Sequence, residues 1–354
     1  MNCNYKIART SNYYIFLLYS ALAYMILDQN LLTLILTEKK GYSISDIASF
    51  ELILQIITVI LEIPSGIIGD FISRKILLVG ARMAYILYGI IFLITDNMAL
   101  LMLAFVLLGI SEALTSGTEE SVVAAIDYKN QVKKYLYFSS VVQIVTMGAI
   151  LLGGVLFNYK WEWIYIIMII AQVLSIAALI TIDISDRNSE INFSKYILKI
   201  RRFFLDKSIL KVVLAGAIIG GIFSVYIIYL PLMMSEKGFS ALHISLFFIV
   251  QMIGGFLVTF ITGKIANDKD SFKICWISII FFVIGIIMMI VGFKDIYILG
   301  CFLGCIAGNL YFPAITTIIN SYMTDEIRTV GNSIINMIQT GSMCILLFLI
   351  GVIF

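Results

Sequence analysis

The chain has 354 residues, 61% of them hydrophobic and 13% charged, with a formal net charge of +2 and a mean hydropathy of +1.03. A soluble domain is about half apolar and about a quarter charged, so this chain has too little polar residue to cover a water-facing surface, and lipid is the consistent solvent. The small, scattered positive charge gives no nucleic-acid surface. One histidine, His243, and five cysteines without a C-x-x-C pair argue against zinc, haem attachment or a disulfide framework.

A membrane-spanning helix needs about 20 apolar residues. Eleven such runs follow in order: Ser11–Thr37, Ser45–Gly69, Lys75–Thr95, Met98–Val122, Lys134–Asn158, Trp161–Ile182, Ser208–Ser235, Ala241–Gly263, Phe272–Gly292, Ile296–Tyr322 and Thr329–Phe354. The first run is longer than the apolar core of a signal peptide and lacks an A-x-A-like cleavage site, so it reads as span 1, retained. The expected organisation is a six-helix bundle over residues 1–183, a polar cytoplasmic linker over 184–207, and a five-helix bundle over 208–354.

Loop charge orients the chain. With the N-terminus in the cytoplasm, 17 of the 24 lysines and arginines fall on the inner side and five on the outer side, while Arg82 and Lys211 lie within runs. That asymmetry places the N-terminus inside and the C-terminus, after eleven spans, outside. The abundance of Ile, Lys and Asn suggests a bacterial plasma membrane as the location. The linker run Lys199-Ile-Arg201-Arg202 can rest on anionic lipid head groups.

The two halves repeat. The segment beginning GYSISDIASF at Gly41 and the one beginning GFSALHISLF at Gly238 align without gaps at an offset of 197, with identities at Gly41/Gly238, Ser43/Ser240, Ile47/Ile244, Phe50/Phe247, Ile56/Ile253, Gly66/Gly263 and Ile68/Ile265. Parallel repeats of helical bundles are a transporter architecture. The same offset sets Phe354 against Phe157 near the end of span 5, so a twelfth helix is missing by this count.

The segment Gly66-Ile-Ile-Gly-Asp70-Phe-Ile-Ser-Arg74-Lys75 resembles the loop between helices 2 and 3 of the major facilitator superfamily, G-x-x-x-D-R-x-G-R-R/K. Phe71 and Ser73 depart from that pattern. The stretch Ser116-Gly-Thr-Glu119-Glu120 with Asp127 is similar to one found in a branch of multidrug exporters. The resemblance implies an all-α polytopic fold of two bundles. It also implies a secondary transporter, not an enzyme, that works by alternating access on a small-molecule substrate. Gly66, Asp70, Arg74 and Lys75 would then form a conformational latch, although basic residues here also satisfy the positive-inside bias. In that family helices 1, 4, 7 and 10 line the central cavity.

Several polar residues fall on those spans. Span 1 carries Ser20, Tyr24 and Asp28 in an i, i+4 row, and span 4 carries Glu112, Ser116 and Glu119 at i, i+4, i+7, one face of a continuous helix. Span 7 shows Tyr226 and Tyr229, and span 10 carries Asn309, Pro313, Thr316 and Asn320. The repeat pairs Glu112 with Asn309. Asp28 and Glu112 are the expected proton-coupling groups, because an intramembrane acid must be protonated, paired or in contact with water. Glu62 and Arg82 lie at matching depth in spans 2 and 3 and are expected to pair, with a proton relay as the alternative. Glycines 148, 153 and 154 on span 5, and 216, 220 and 221 on span 7, suit close helix packing. No phosphate loop, nucleophile elbow or H-E-x-x-H motif occurs, so no ATP drive and no cofactor are expected.

The functional expectation is proton-coupled efflux of an amphipathic compound, with protons or another cation as coupling partner. Import of a small metabolite and a truncated, non-transporting membrane protein are the alternatives. A reporter that is active only in the cytoplasm, fused after Phe354, should stay silent; strong activity would overturn the eleven-span topology.

Overall fold

The computed structural model describes residues 2–71, 73–116, 118–119, 122, 131–182, 207–265, 270–322 and 328–353. Eleven long helices stand among them: α1 (Asn2–Ala23), α2 (Ile44–Phe71), α3 (Arg74–Ile94), α4 (Met98–Thr115), α5 (Gln131–Tyr159), α6 (Glu162–Ile180), α7 (Lys207–Glu236), α8 (Ala241–Ile265), α9 (Ser271–Val291), α10 (Lys294–Asn320) and α11 (Arg328–Ile353). Nine of the described helices are long and apolar enough to cross a membrane. No strand occurs among the described residues. In hydrocarbon only a helix or a closed barrel satisfies its own backbone, so Leu-, Ile- and Phe-rich runs of this length fold as helices. The chain divides into two compact units, residues 1–190 and 191–352. In the first, α4 packs on α2 and α3, and α6 packs on α1 and α3; in the second, α10 packs on α7, α8 and α9.

The repeat seen in the sequence has a structural counterpart inside each unit. Gly41 and Gly238 are the positive-φ glycines, at φ 73° and 79°. Each follows a helical end, where a left-handed residue lets the chain turn back at no Cβ cost. The Tyr42 amide then donates to Leu36 O at 2.9 Å, and the Phe239 amide to Met234 O at 3.2 Å. Two residues after each glycine a serine caps the next helix. The Ser43 amide donates to Asp46 Oδ2 at 3.0 Å while the Asp46 amide donates to Ser43 Oγ at 3.2 Å, a reciprocal capping box. In the second unit Ser240 Oγ lies 2.6 Å from His243 Nδ1. One helical level deeper, Phe50 stacks on Phe105 with ring centroids 5.1 Å apart, and their counterparts Phe247 and Phe302 meet edge-on at 6.5 Å.

Two spans depart from the sequence reading. Span 1 is not one helix: α1 stops at Ala23, residues 24–31 form turns, and helical structure resumes as Leu32–Leu34 and a π-helical turn, Ile35–Lys39. Irregular backbone at membrane depth is tolerated only where protein buries it or where it lines a cavity. Here Gln172 Nε2 of α6 donates to Ala23 O at 3.0 Å, taking up the last carbonyl of α1. Span 4 also ends early. Ser116 is extended at φ −55°, ψ 125°, and closes α4 seven residues before the end of the apolar run.

Close helix contact depends on particular glycines. A Cβ at Gly153 would sit 2.1 Å from Leu27 O in the broken part of span 1, whereas a Cβ at Gly148 would meet nothing within 4 Å. Gly216 and Gly221 are likewise closely overlain, by Ile315 and by Ser342. Gly153→Ala should therefore lower the stability of the detergent-solubilised protein by about 1–3 kcal/mol. Gly148→Ala should be neutral or slightly stabilising; equal melting temperatures for the two variants would refute the contact.

Candidate functional site

The first unit holds two polar centres. The first is a buried ion pair. Arg82 of α3 is 4% exposed and Glu119, beyond the end of α4, is 1% exposed. Arg82 Nη2 donates to Glu119 Oε1 at 2.9 Å and to Thr115 Oγ1 at 3.2 Å, and Arg82 Nε donates to Tyr19 Oη at 3.1 Å. Tyr19 Oη in turn donates to Glu119 Oε1 at 3.0 Å, and Tyr24 Oη donates to Glu119 Oε2 at 2.9 Å. The carboxylate thus accepts from one guanidinium and two phenols. That extra bonding is what makes a desolvated pair tolerable. It ties together span 1, α3 and the chain beyond α4.

The second centre lies in the break of span 1. Asp28 is 3% exposed and accepts from Tyr88 Oη at 2.9 Å, while its backbone carbonyl takes the amides of Leu31 and Leu32 at 2.8 Å. Tyr165 of α6 is buried against Tyr88, ring centroids 6.2 Å apart, and lies within electrostatic reach of Asp28. Among the described residues no basic side chain bonds to Asp28; Arg82, the buried base on α3, is committed to Glu119.

Between the two centres, α4 presents Glu112 as an exposed residue. It stands about 21 Å along α4 from Met98, less than the roughly 30 Å thickness of a hydrocarbon core. Glu51 of α2 is 7% exposed, and its acidic neighbour is Glu112. Gly109 allows this approach, because a Cβ there would lie 2.8 Å from Leu54 O and 3.1 Å from Ile57 Cβ. Thr58 Oγ1 donates to Leu54 O at 3.0 Å and stands beside Glu112. Tyr85 of α3 is buried within electrostatic reach of Asp28, Arg82 and Glu112. Among the described residues, no cluster of three or more His, Cys, Asp or Glu that could hold a metal ion occurs.

The sequence model of the Major Facilitator Superfamily matches residues 13–347. The chain belongs to this superfamily. Among solved structures, a point mutant of the nucleoside transporter NupG is 13% identical over 97% of this chain and 90% of its own, with a TM-score of 0.82. A D-xylose–proton symporter is 14% identical, covering 97% and 89%, at TM-score 0.72. A bacterial homologue of the human lysosomal transporter Spinster, inward-facing and unoccupied, is 14% identical, covering 97% and 80%, at TM-score 0.67. No curated protein matches the sequence. At these identities the structures establish the fold alone, all-α and of the major facilitator type, while the match to the superfamily's sequence model makes the chain a multi-pass membrane transporter.

Within this superfamily member the expected site residues separate. The partner of Arg82 is Glu119, not Glu62. Helix-depth matching pointed to Glu62 because it assumed that span 4 ran straight on past Glu119; the break at Ser116 instead brings Glu119 back among α1 and α3. For the same reason Glu112, Ser116 and Glu119 do not share one face: the first two are exposed and the third is buried. Tyr24 belongs to Glu119 and not to the Asp28 group, and Ser20 donates to Phe16 O inside its own helix. Tyr226 is committed within the second unit, its hydroxyl donating to Cys301 O at 3.1 Å. Asn309 is half-buried, its Nδ2 a buried donor without a hydrogen-bond partner among the described residues, lying over Gly255; Thr316 is exposed.

Lys75 of the expected latch donates to Ile182 O at 2.9 Å and to Ile180 O, closing the carbonyl end of α6 within the first unit. Arg74 is half-buried. The side chains at Gly66, Asp70 and Asn320 lie outside the described residues, as do Glu120, Asp127 and the linker from 183 to 206. Sequence reading passed over Glu51. The available signal was its i, i+7 spacing to Thr58 within an apolar run, the spacing that had drawn attention to Glu112 and Glu119.

Arg82→Gln should remove the guanidinium from the buried Glu119 carboxylate and cost about 3–5 kcal/mol. Arg82→Gln with Glu119→Gln should recover part of that loss in thermal melts of the purified protein. A double variant no more stable than Arg82→Gln alone would rule out the coupling.

Proposed function

We propose that this transporter is proton-coupled and moves a small amphipathic solute by alternating access, with Glu112 and Asp28 as the groups that take up and release the coupling proton. Glu112 carries the reading. An acid inside a membrane span faces a bundle interior or a water-filled cavity, because lipid cannot solvate it. Glu112 is exposed and bonds to no base among the described residues, so water access is the arrangement consistent with its depth. Asp28 adds a second carboxylate at a broken helix, the position where transporters place substrate and coupling-ion sites. The counterparts of these acids in the second unit, Val225 and Asn309, do not ionise, so coupling rests on the N-terminal bundle.

The likeness to a named xylose–proton symporter supports proton coupling. The likeness to it and to a nucleoside transporter favours import of a small metabolite, whereas the resemblance around Ser116 and Glu119 favours export. Both directions use the same carboxylates. The location we propose is the plasma membrane with the N-terminus cytoplasmic. Gly66, Asp70, Arg74 and Lys75 act as the latch at the cytoplasmic side, with Lys75 anchored on α6.

In proteoliposomes with an imposed pH gradient, screened with drug-like cations, nucleosides and sugars, the wild type should drive flux of one class. Glu112→Gln should abolish that flux while counterflow exchange without a gradient persists. Undiminished gradient-driven flux in Glu112→Gln would remove this residue from the mechanism.

A further inference from the structure

The second unit holds a cluster of sulfur that the transport reading does not use. Cys301 and Cys305 are i and i+4 on α10, so their side chains lie on one face, and both are buried. Met289 of α9, also buried, packs against Gly300, where a Cβ would lie 3.0 Å from Met289 Cγ. Tyr226 of α7 completes the group. Its hydroxyl donates to Cys301 O at 3.1 Å, stands 3.7 Å from Met289 Sδ and lies within electrostatic reach of both thiols. A Cβ at Gly304 would fall 2.6 Å from that hydroxyl. The glycines directly before each cysteine therefore let α7 and α9 reach the thiol face of α10. Three helices bring two thiols and a thioether around one phenol. The repeat puts Ala104, Leu108 and Phe92 at the sulfur positions in the first unit, so packing at the equivalent crossing does not require sulfur.

The donor set decides what kind of ligand fits. Thiolate and thioether are soft donors, which favour a soft ion such as Cu(I) over Mg, Ca or Mn. A structural zinc site takes four ligands, and among the described residues no set of three or more His, Cys, Asp or Glu fit for a metal occurs. A monovalent ion with a filled d shell needs only two or three sulfurs. Charge makes the same choice. Binding to one thiol forms a sulfur–metal bond and expels that thiol's proton, so one positive charge enters as another leaves and the buried site keeps its net charge. The second thiol and the thioether then bind as neutral donors. Zinc would have to expel both protons and would still lack a fourth ligand. Glu236 and Lys237 stand at Tyr297, one turn before Cys301, about 10 Å along α10 from Lys294.

We infer that Cys301 and Cys305 of α10, with the thioether of Met289 on α9, form a binding site for one soft monovalent metal ion, Cu(I) or Ag(I) in chemistry. The bound ion ties α9 to α10 through sulfur on each helix. The site belongs to the second unit and does not depend on how the carboxylates of the first unit act in transport.

The probe is Ag(I), which needs no reducing conditions, added to the full chain in chloride-free nanodiscs. N-acetylcysteine is present in about tenfold excess at micromolar level, below the millimolar effective concentration of a second ligand on the same scaffold. Elemental analysis after desalting should find about one silver per chain, the chelate stoichiometry. Affinity should fall about tenfold or more in Cys301→Ser and in Cys305→Ser, the scale of one lost strong contact, and less in Met289→Leu. Cys275→Ser and Cys344→Ser should bind as the wild type does. Silver should also raise the melting temperature of the wild type, as any ligand of the folded state does, whereas Zn(II) should be neither retained nor stabilising. If neither serine variant at 301 or 305 inserts, the variant with Cys3→Ser, Cys275→Ser and Cys344→Ser decides, because the pair on α10 is then the remaining thiol source and has to hold one ion. Silver retained undiminished without Cys301 and Cys305, silver lost from the triple variant, or equal retention of zinc would each overturn the inference.

Discussion

The ion pair between Arg82 and Glu119 is the interaction on which the rest of the first unit depends. A guanidinium inside a bilayer is costly unless it is paired and fully hydrogen-bonded. Arg82 meets that demand with Glu119, Tyr19 and Thr115, drawn from three different stretches of the chain. Meeting it has consequences for the backbone. For Glu119 to arrive among α1 and α3, the helix that would carry it outward must stop, and α4 stops at Thr115. Glu112, one turn earlier, is thereby the last acid carried on α4. It has no bond to Arg82 among the described residues, which is why the proposed coupling is placed on it.

A second constraint shapes the broken first span. The bilayer core supplies no water to unpaired carbonyls, so a break there has to be satisfied by neighbouring helices. The side-chain amide of Gln172 takes the carbonyl at the end of α1, and Gly153 lets Leu27 O press against α5. Asp28 then sits among phenols and not in lipid. Structure and chemistry are coupled here: the irregular backbone that gives a carboxylate room is held by residues that carry no charge.

The two units share a scaffold and differ in their electrostatics. Glycine turns, serine caps and the Phe50/Phe105 and Phe247/Phe302 contacts recur at the same offset, so the packing of helices 2 and 4 recurs in helices 8 and 10. The acids do not recur. Where the first unit has Glu51, Thr58 and Glu112, the second has Phe248, Gly255 and Asn309. Repetition preserves what the fold requires, namely small residues and ring contacts at crossings. Ionisable groups are costly in lipid and remain where a function can use them.

Much of this was legible in the residues alone. Apolar run length determined the number of long helices, because in hydrocarbon the helix is the available solution for each run. The repeat and the Gly66–Lys75 segment determined the superfamily, since turn glycines and cap serines act locally and leave a local signature. What the chain could not show was where its helices break and which charges meet. The early stop of α4, the unwound stretch around Asp28, the choice of Glu119 over Glu62 as the partner of Arg82, and the approach of Glu51 to Glu112 all depend on contacts between residues tens of positions apart. A helical wheel assumes an unbroken helix. Only the packed bundle decided where breaking one cost less than leaving Arg82 unpaired.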